Sequence, residues 1–155
     1  MKVLRKVLKW LVVVVAILFF AVQFKRPART NPPIDHSQTL EAHAQISPEV
    51  SSILARSCND CHSNRTAWPW YTNVAPVSWF VTEHVDEGRA EMNFSEWGLY
   101  NRRRQETRLQ AICDEVESGG MPLSSYLPLH PHAKLSAEDK KALCDWAEAE
   151  RARLR

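Results

Sequence analysis

The stretch CNDCHSN, from Cys58 to Asn64, places two cysteines and a histidine close together in the chain. Cys58 and Cys61 are three positions apart, so both side chains lie on the same side of a helical turn. His62 follows directly. Three arrangements use this spacing: a covalently attached haem, part of a zinc site, or a redox-active or inert cysteine pair. Each of them would determine how the surrounding chain folds.

The rest of the sequence separates these alternatives. A zinc site needs two more ligands, usually a second close pair, and the remaining cysteines, Cys113 and Cys144, are far apart. A thioredoxin-like pair belongs to a βαβ unit, and no strand-like alternation of apolar and polar residues is visible. We therefore predict one covalent haem c per chain, held by Cys58 and Cys61, with His62 as the proximal iron ligand. An inert or disulfide-bonded pair is the alternative.

An apolar run, Trp10–Val22, lies near the N-terminus and contains no polar side chain. Its cationic neighbours on both sides are Lys2, Arg5, Lys6, Lys9, Lys25 and Arg26. The run is shorter than the roughly 20 residues that cross a bilayer, but apolar neighbours and snorkelling lysines extend its reach. We expect residues 1–24 to form a single transmembrane anchor or an uncleaved signal. The positive-inside bias then predicts a single-pass protein of the inner (cytoplasmic) membrane, with its body on the periplasmic, extracytoplasmic side.

Charge is divided unevenly along the chain. Residues 1–29 hold seven cations and no acid, so with a net charge of +2 the remainder carries −5. A mildly acidic body argues against nucleic acid as a partner, because phosphate binding needs a basic face. Residues 25–46 contain Pro27, Pro32 and Pro33 and are expected to form an extended tether. Residues 47–155 then form the haem-binding domain, with the membrane and an unidentified redox protein as expected partners.

Helical periodicity predicts that this domain is all-α. Ser47 suits the N-cap of a first helix, which presents Val50, Ile53 and Leu54 on one face and leads into Cys58. A second helix is expected from about Val77 to Gly88. The third runs from about Arg102 to Ser118, has an apolar stripe, and ends at Gly119 and Gly120.

The last predicted helix begins after Ser136. Asp139 stands three residues further on, as in a capping box. Leu143, Trp146 and Ala147 form its buried stripe. The predicted architecture is a small cytochrome c-like helical domain wrapped around one covalent haem and preceded by the single N-terminal transmembrane helix.

Met121 is the expected sixth ligand of the iron. It stands in SGGMPLSSY, where the preceding glycines allow the backbone to approach the ring. Its thioether is a soft ligand that raises the reduction potential relative to a second histidine. The alternative is that Met121 only fills the core. His84 and His130 are rival ligands, whereas Met92 is expected in the core.

Haem propionates need hydrogen-bond donors, and the sequence after His62 supplies several. The candidates are Arg65, Trp70, Tyr71 and Arg89. For each of them a surface charge or a core aromatic is an equal alternative. A ligating histidine also donates its second ring N–H to an oxygen, and we expect His62 to use the carbonyl of Pro69 or Pro76.

A disulfide between Cys113 and Cys144 is left open by the pattern. Such a bond forms in an oxidising compartment. Cys113 lies on the apolar stripe of its helix. Cys144, however, lies about 100° from the apolar stripe of the last helix.

The chain resembles the bacterial haem-binding domain family, a cytochrome c-like group of membrane-anchored or exported proteins, from roughly Ile46 to Ala149. The motifs that carry the resemblance are Cys58-x-x-Cys61-His62-Ser63-Asn64, Pro69-Trp70-Tyr71, Ala75-Pro76-x-Ser78-Trp79, His84-Val85 with Gly88-Arg89, Asn93-Phe94-Ser95 and Met121-Pro122. The resemblance implies a haem c fold with His62 as the proximal ligand. It implies no particular activity, because the motif defines the family. Cys113 and Cys144 lie outside the pattern.

Three functions follow from these expectations. With His62 and Met121 both on the iron there is no open coordination site, and the haem transfers one electron at a time. With an open or displaceable sixth position the protein is a haem peroxidase or a small-gas or redox sensor. In the third case the haem is a folding element. No general acid–base pair stands out, so an electron carrier is favoured over an enzyme.

Overall fold

The computed structural model describes residues 2–155, and these residues form helices and turns without a strand. The α-helices within them are α1 Lys2–Val22, α2 Leu40–His43, α3 Pro48–Ser57, α4 Asn59–His62, α5 Val77–Glu91, α6 Arg102–Ser118 and α7 Ala137–Leu154. Short 3₁₀ turns cover His36–Gln38, Trp70–Asn73, Phe94–Leu99 and Pro131–Ala133. The all-helical part of the predicted fold is therefore correct.

The predicted transmembrane helix is wrong. Within residues 2–155 there is no helix whose length and apolar character would let it span a bilayer. The first turns of α1 hold four cations, and only Trp10–Val22 is free of charge. At about 1.5 Å per residue that stretch is roughly 20 Å long, whereas the hydrocarbon core of a bilayer is about 30 Å thick. This finding overturns both the single-pass anchor expected at residues 1–24 and the inner-membrane localisation derived from it.

The chain divides into two compact units. Unit 1 comprises the residues up to Thr30 together with Trp68–His84, and unit 2 comprises Asn31–Ala67 and Val85–Arg155. The domain bounds expected from the sequence stay a prediction, and the expected tether, residues 25–46, is divided between the two units. Leu40 on α2 is only 1% exposed and belongs to the core of unit 2. Its apolar side chain draws this segment into the domain, so unit 2 begins well before residue 47.

The core of unit 2 is built from the predicted apolar faces of α3, α6 and α7. Its buried side chains include Val50, Ile53, Leu54, Leu109, Ile112, Val116, Leu143, Trp146 and Ala147. Local signals fix the ends of these helices as predicted. Ser47 accepts a hydrogen bond from the N–H of Val50, and Ser136 forms a capping box with Asp139. Gly119 ends α6 in the left-handed conformation, with φ at 80°, which favours glycine.

A disulfide joins Cys113 on α6 to Cys144 on α7. The sequence left this pairing open. The two helices pack against each other, and Cys144 reaches Cys113 from the side of the α7 stripe. The bond encloses a loop with a sequence separation of 31, which carries Met121 and Tyr126. The covalent link therefore fixes both ends of the segment that holds the expected sixth ligand.

Reduction of this disulfide should lower the free energy of unfolding by about 4 kcal/mol, because closing a loop of this length removes that much entropy from the unfolded chain. Urea unfolding of the purified protein with and without reductant measures the difference. A Cys113→Ala/Cys144→Ala variant is the control. It should match the reduced parent and should not respond to reductant. Identical unfolding midpoints for the oxidised and reduced parent would show that the bond adds no stability.

Candidate functional site

Cys58, Cys61 and His62 lie where two helices meet. α3 ends at Ser57, Cys58 caps it, and α4 carries the other two side chains. Cys58 and Cys61 are free thiols, so the alternative of a disulfide between them is not realised. Burial raises the pKa of Cys58 to about 12 and that of Cys61 to about 11. Both are protonated at neutral pH, which is unlike the low-pKa cysteines of disulfide exchange.

The imidazole of His62 is oriented by two backbone carbonyls. Its Nδ1 lies 2.9 Å from the carbonyl oxygen of Gly88 and 3.0 Å from that of Met92. A carbonyl only accepts hydrogen bonds, so Nδ1 carries the proton and Nε2 keeps its lone pair. Burial holds the pKa of His62 below its usual value, so the ring is neutral at neutral pH. His62 is therefore prepared to act as a ligand through Nε2.

The prediction for the partner of His62 named the wrong carbonyls. Pro69 and Pro76 were expected, and Gly88 and Met92 take that role. The contact depends on how closely α5 approaches the cysteine segment. A Cβ atom placed on Gly88 would lie 2.6 Å from the carbonyl oxygen of Cys61. A glycine within a helix is unfavourable unless packing requires it, and Gly88 was the sequence signal for this approach.

A cavity of about 280 Å³ lies beside His62 within unit 2. The apolar and sulfur-bearing side chains that line it are Cys58, Met92, Phe94, Ile112, Val116 and Met121. His62 lines the cavity as well. The structure thus brings together three residues that the sequence analysis selected independently, namely Cys58, His62 and Met121.

Both methionines line this cavity, but their positions relative to His62 differ. The carbonyl of Met92 contacts Nδ1, so the backbone of Met92 lies on the protonated side of the imidazole. A ligand placed opposite His62 across a metal must approach from beyond Nε2. Met121 belongs to the loop after α6 and is not tied to the Nδ1 side. Both side chains line the cavity, and Met121 as the sixth ligand stays a prediction.

The loop that carries Met121 is attached at both ends. The N–H of Met121 donates to the carbonyl of Glu115 on α6, at 3.1 Å. Five residues further on, the hydroxyl of Tyr126 donates to Oδ2 of Asp60, at 2.6 Å. Asp60 lies between the two cysteines, and His130 stacks on Tyr126 with 3.8 Å between ring centroids. The cysteine segment and the Met121 loop therefore hold each other in place.

The predicted propionate partners lie outside the lining of this cavity. Arg65 pairs with Glu41 at 2.8 Å. Arg89 donates to the carbonyl of Ser63, to Oγ1 of Thr66 and to Oδ1 of Asn31. Arg89 thereby braces the segment that follows His62. The assignment of either arginine to a propionate stays a prediction.

The other predicted residues have separate surroundings. Trp70 and Tyr71 belong to unit 1, and Trp70 is 76% exposed, so their role also stays a prediction. His84, in the same unit, contacts the carbonyl of Phe80 through Nδ1. His130 contacts the carbonyl of Tyr126 and does not line the cavity.

A second group of potential metal ligands lies close together because two of its members form the disulfide. Cys113, Glu117 and Cys144 place their ligand atoms within 4.8 Å of one another. The two cysteines are bonded to each other in the disulfide, so they have no thiolate to offer. Among the residues described, 2–155, Cys58, Cys61 and His62 are not part of any such group. A zinc site at the cysteine segment is therefore not supported by the geometry.

These features define a small helical cofactor-binding protein in which a half-buried histidine lines an apolar cavity. Residues 17–149 match the family model described as a haem-binding domain, and the chain belongs to that family. The haem-binding domain family expected from the sequence motifs is thereby confirmed, and the protein is a haem protein. No curated protein and no solved structure matches the chain.

The residues around the cavity fit a haem group. Its macrocycle needs an apolar enclosure, which Phe94, Ile112 and Val116 provide. Its iron needs a neutral nitrogen with a free lone pair, which the hydrogen bonds of His62 provide. Met121 offers a soft sulfur ligand in the same cavity. All of these groups belong to unit 2.

Proposed function

We propose that the chain binds one haem c covalently and carries single electrons, with His62 and Met121 as the axial ligands. The observation that carries the proposal is that a neutral histidine, a cysteine thiol and a methionine line one apolar cavity. Cys58 and Cys61 would hold the haem through thioether bonds, which require free thiols as found here. The iron supplies a one-electron redox couple when the haem is bound.

The residues of the chain favour fast one-electron exchange over catalysis. The carbonyls of Gly88 and Met92 hold the His62 ring in one orientation, so this ligand need not move when the charge on the iron changes. The apolar wall excludes water and stabilises the less charged ferrous state. The attachments at Glu115 and Asp60 restrict the Met121 loop. A redox protein that exchanges the electron is the implied partner.

Carbon monoxide distinguishes this proposal from the alternative of an open-site peroxidase or sensor. It binds ferrous haem only where a coordination position is free or easily freed. The reduced parent protein should show no change in its visible spectrum under carbon monoxide. Met121→Ala should bind the gas readily. Met92→Ala, which alters the other methionine of the same cavity, should behave like the parent.

Ready carbon monoxide binding by the parent would overturn the electron-carrier proposal and favour the open-site alternative. Binding by Met92→Ala but not by Met121→Ala would assign the sixth position to Met92. The ferric spectrum gives an independent measure, because a methionine–iron bond produces a weak band at long wavelength. That band should vanish in Met121→Ala alone.

A further inference from the structure

The otherwise apolar cavity has one charged edge. Glu91, Arg108 and Glu115 line it together with the apolar side chains described above. Arg108 lies one helical turn before Ile112 and two turns before Glu115, so all three project from the same face of α6. This edge has no role in the ligand set proposed for the iron.

The two partners of the ion pair at this edge are unequally exposed. Nη1 of Arg108 lies 2.9 Å from Oε2 of Glu91, and the Arg108 side chain is 27% exposed while that of Glu91 is 71% exposed. The cation is therefore partly enclosed, whereas its carboxylate partner is mostly in water. An exposed pair of this kind contributes little stability, so the pair itself does not explain why an arginine lines an apolar cavity.

We propose that Arg108 binds a carboxylate of the haem, and that this role belongs to Arg108 rather than to Arg65 or Arg89. Haem carries two carboxylates, and a carboxylate beside an apolar cavity needs a cationic partner. Within residues 2–155, Arg108 is the one arginine or lysine in the cavity lining. The other two arginines are committed to Glu41 and to the segment after His62.

The guanidinium of Arg108 has capacity for this second partner. Its contact with Glu91 uses Nη1, and an arginine offers five N–H donors in a planar fork. A fork of this kind binds carboxylates in a bidentate manner. Glu91 is largely in water. It can therefore move away from the guanidinium, or share it with a second carboxylate, at little cost in free energy. The site is thus a carboxylate subsite of the haem cavity, formed by one turn of α6.

The charges at this edge would also act on the iron. Glu91 and Arg108 line the same cavity as His62, so their charges would lie near the iron that His62 is proposed to hold. A positive charge near the iron favours its ferrous state, and a negative charge favours its ferric state. Removing each charge in turn should therefore move the haem midpoint potential in opposite directions.

The test uses the haem-loaded full chain and three variants. Arg108→Gln should lower the midpoint potential in a redox titration, and Glu91→Gln should raise it. Arg104→Gln is the matched control, because Arg104 lies on the same helix but has its guanidinium 4.0 Å from the Tyr100 ring. It should leave the potential at the parent value. Equal potentials for Arg108→Gln, Arg104→Gln and the parent would overturn the proposal.

A second measurement isolates the carboxylate itself. The haem-free full chain should bind haem about tenfold more tightly than haem dimethyl ester, as expected for one charge-assisted carboxylate contact. Arg108→Gln should lose this preference, and Arg104→Gln should keep it. Equal affinity of the parent for haem and its ester would contradict the subsite. The proposal rests on haem binding and not on electron transfer, so carbon monoxide binding by the parent would leave both readouts valid.

Discussion

A Cys58→Ala/Cys61→Ala variant should lose its haem completely under denaturing extraction, whereas the parent should keep it. The hydrogen bonds, the axial ligands and the apolar cavity all disappear when the chain unfolds. Only thioether bonds to Cys58 and Cys61 would survive. Acidified organic solvent applied to the purified proteins, followed by the mass of the chain, measures the difference directly.

Two controls define this result. Each single variant, Cys58→Ala and Cys61→Ala, should retain haem through its remaining thioether. A Cys113→Ala/Cys144→Ala variant should retain haem like the parent, since Cys113 and Cys144 form the disulfide and do not line the cavity. Release of haem from the denatured parent would show that the cofactor is not covalently attached.

The same double variant should become dependent on free haem for its stability. In the parent, a haem attached through the proposed thioether bonds would stay with its cavity at any dilution. In Cys58→Ala/Cys61→Ala, haem binds by mass action, so the melting temperature should rise with added haem. The parent, already loaded, should show no such rise. A haem-free variant as stable as the parent would mean that the cofactor does not support the fold of unit 2.

Gly88→Ala should have the second largest effect. It should lower the free energy of unfolding, whereas the same substitution in an ordinary helix interior raises it. In an ordinary helix interior, alanine is more stable than glycine by about 1 kcal/mol. At this position the new Cβ would lie 2.6 Å from the carbonyl oxygen of Cys61 and 3.0 Å from its Cβ. α5 would have to move away from the cysteine segment, which also lengthens the hydrogen bond from His62 to Gly88. We expect a loss of about 1–3 kcal/mol in the free energy of unfolding, typical of overpacking.

Urea unfolding measures this loss, and the ferric spectrum shows whether the ligation by His62 changes with it. Gly120→Ala is the matched control. Its Cβ would meet mainly the carboxylate of Glu115, the far end of a flexible side chain, which can turn away. Gly120→Ala should therefore remain close to the parent in stability. A Gly88→Ala protein as stable as the parent would contradict the close approach of α5 and α4.

The helices could be predicted because their signals are local. Ser47, Ser136 and Gly119 act within one turn of the helix ends that they define. The periodic stripes of α3 and α7 identify the faces that meet in the core. The chemistry of Cys58, Cys61 and His62 was equally readable, since all three stand within five positions.

The contacts between elements could not be predicted in the same way. The carbonyls that orient His62 come from α5, and nothing near His62 in the sequence indicates them. The pairing of Cys113 with Cys144 depends on how α6 and α7 pack. The burial of Leu40 depends on contacts of its segment within unit 2. In each case the deciding partner is distant in sequence.

One of the sequence predictions gave weight to the wrong property. For α1, the apolar run of Trp10–Val22 outweighed the charges that shorten it. For the cofactor carboxylates, closeness to His62 in sequence selected Arg65, Trp70, Tyr71 and Arg89, and these assignments stay predictions. The helical spacing of Arg108, Ile112 and Glu115 would have placed Arg108 on the inner face of α6. The face of the helix on which a residue lies indicates the cavity lining better than its distance from His62 in the sequence.

The position of the iron in a crystal of the haem-loaded protein tests the central claim most directly. Anomalous scattering at the iron edge locates the metal without reference to any assumed ligand. We predict an iron atom bonded to Nε2 of His62, inside the cavity lined by Cys58 and Met121, with Nδ1 still donating to the carbonyls of Gly88 and Met92. An iron atom outside this cavity, or bonded to His84 or His130 instead of His62, would contradict the account.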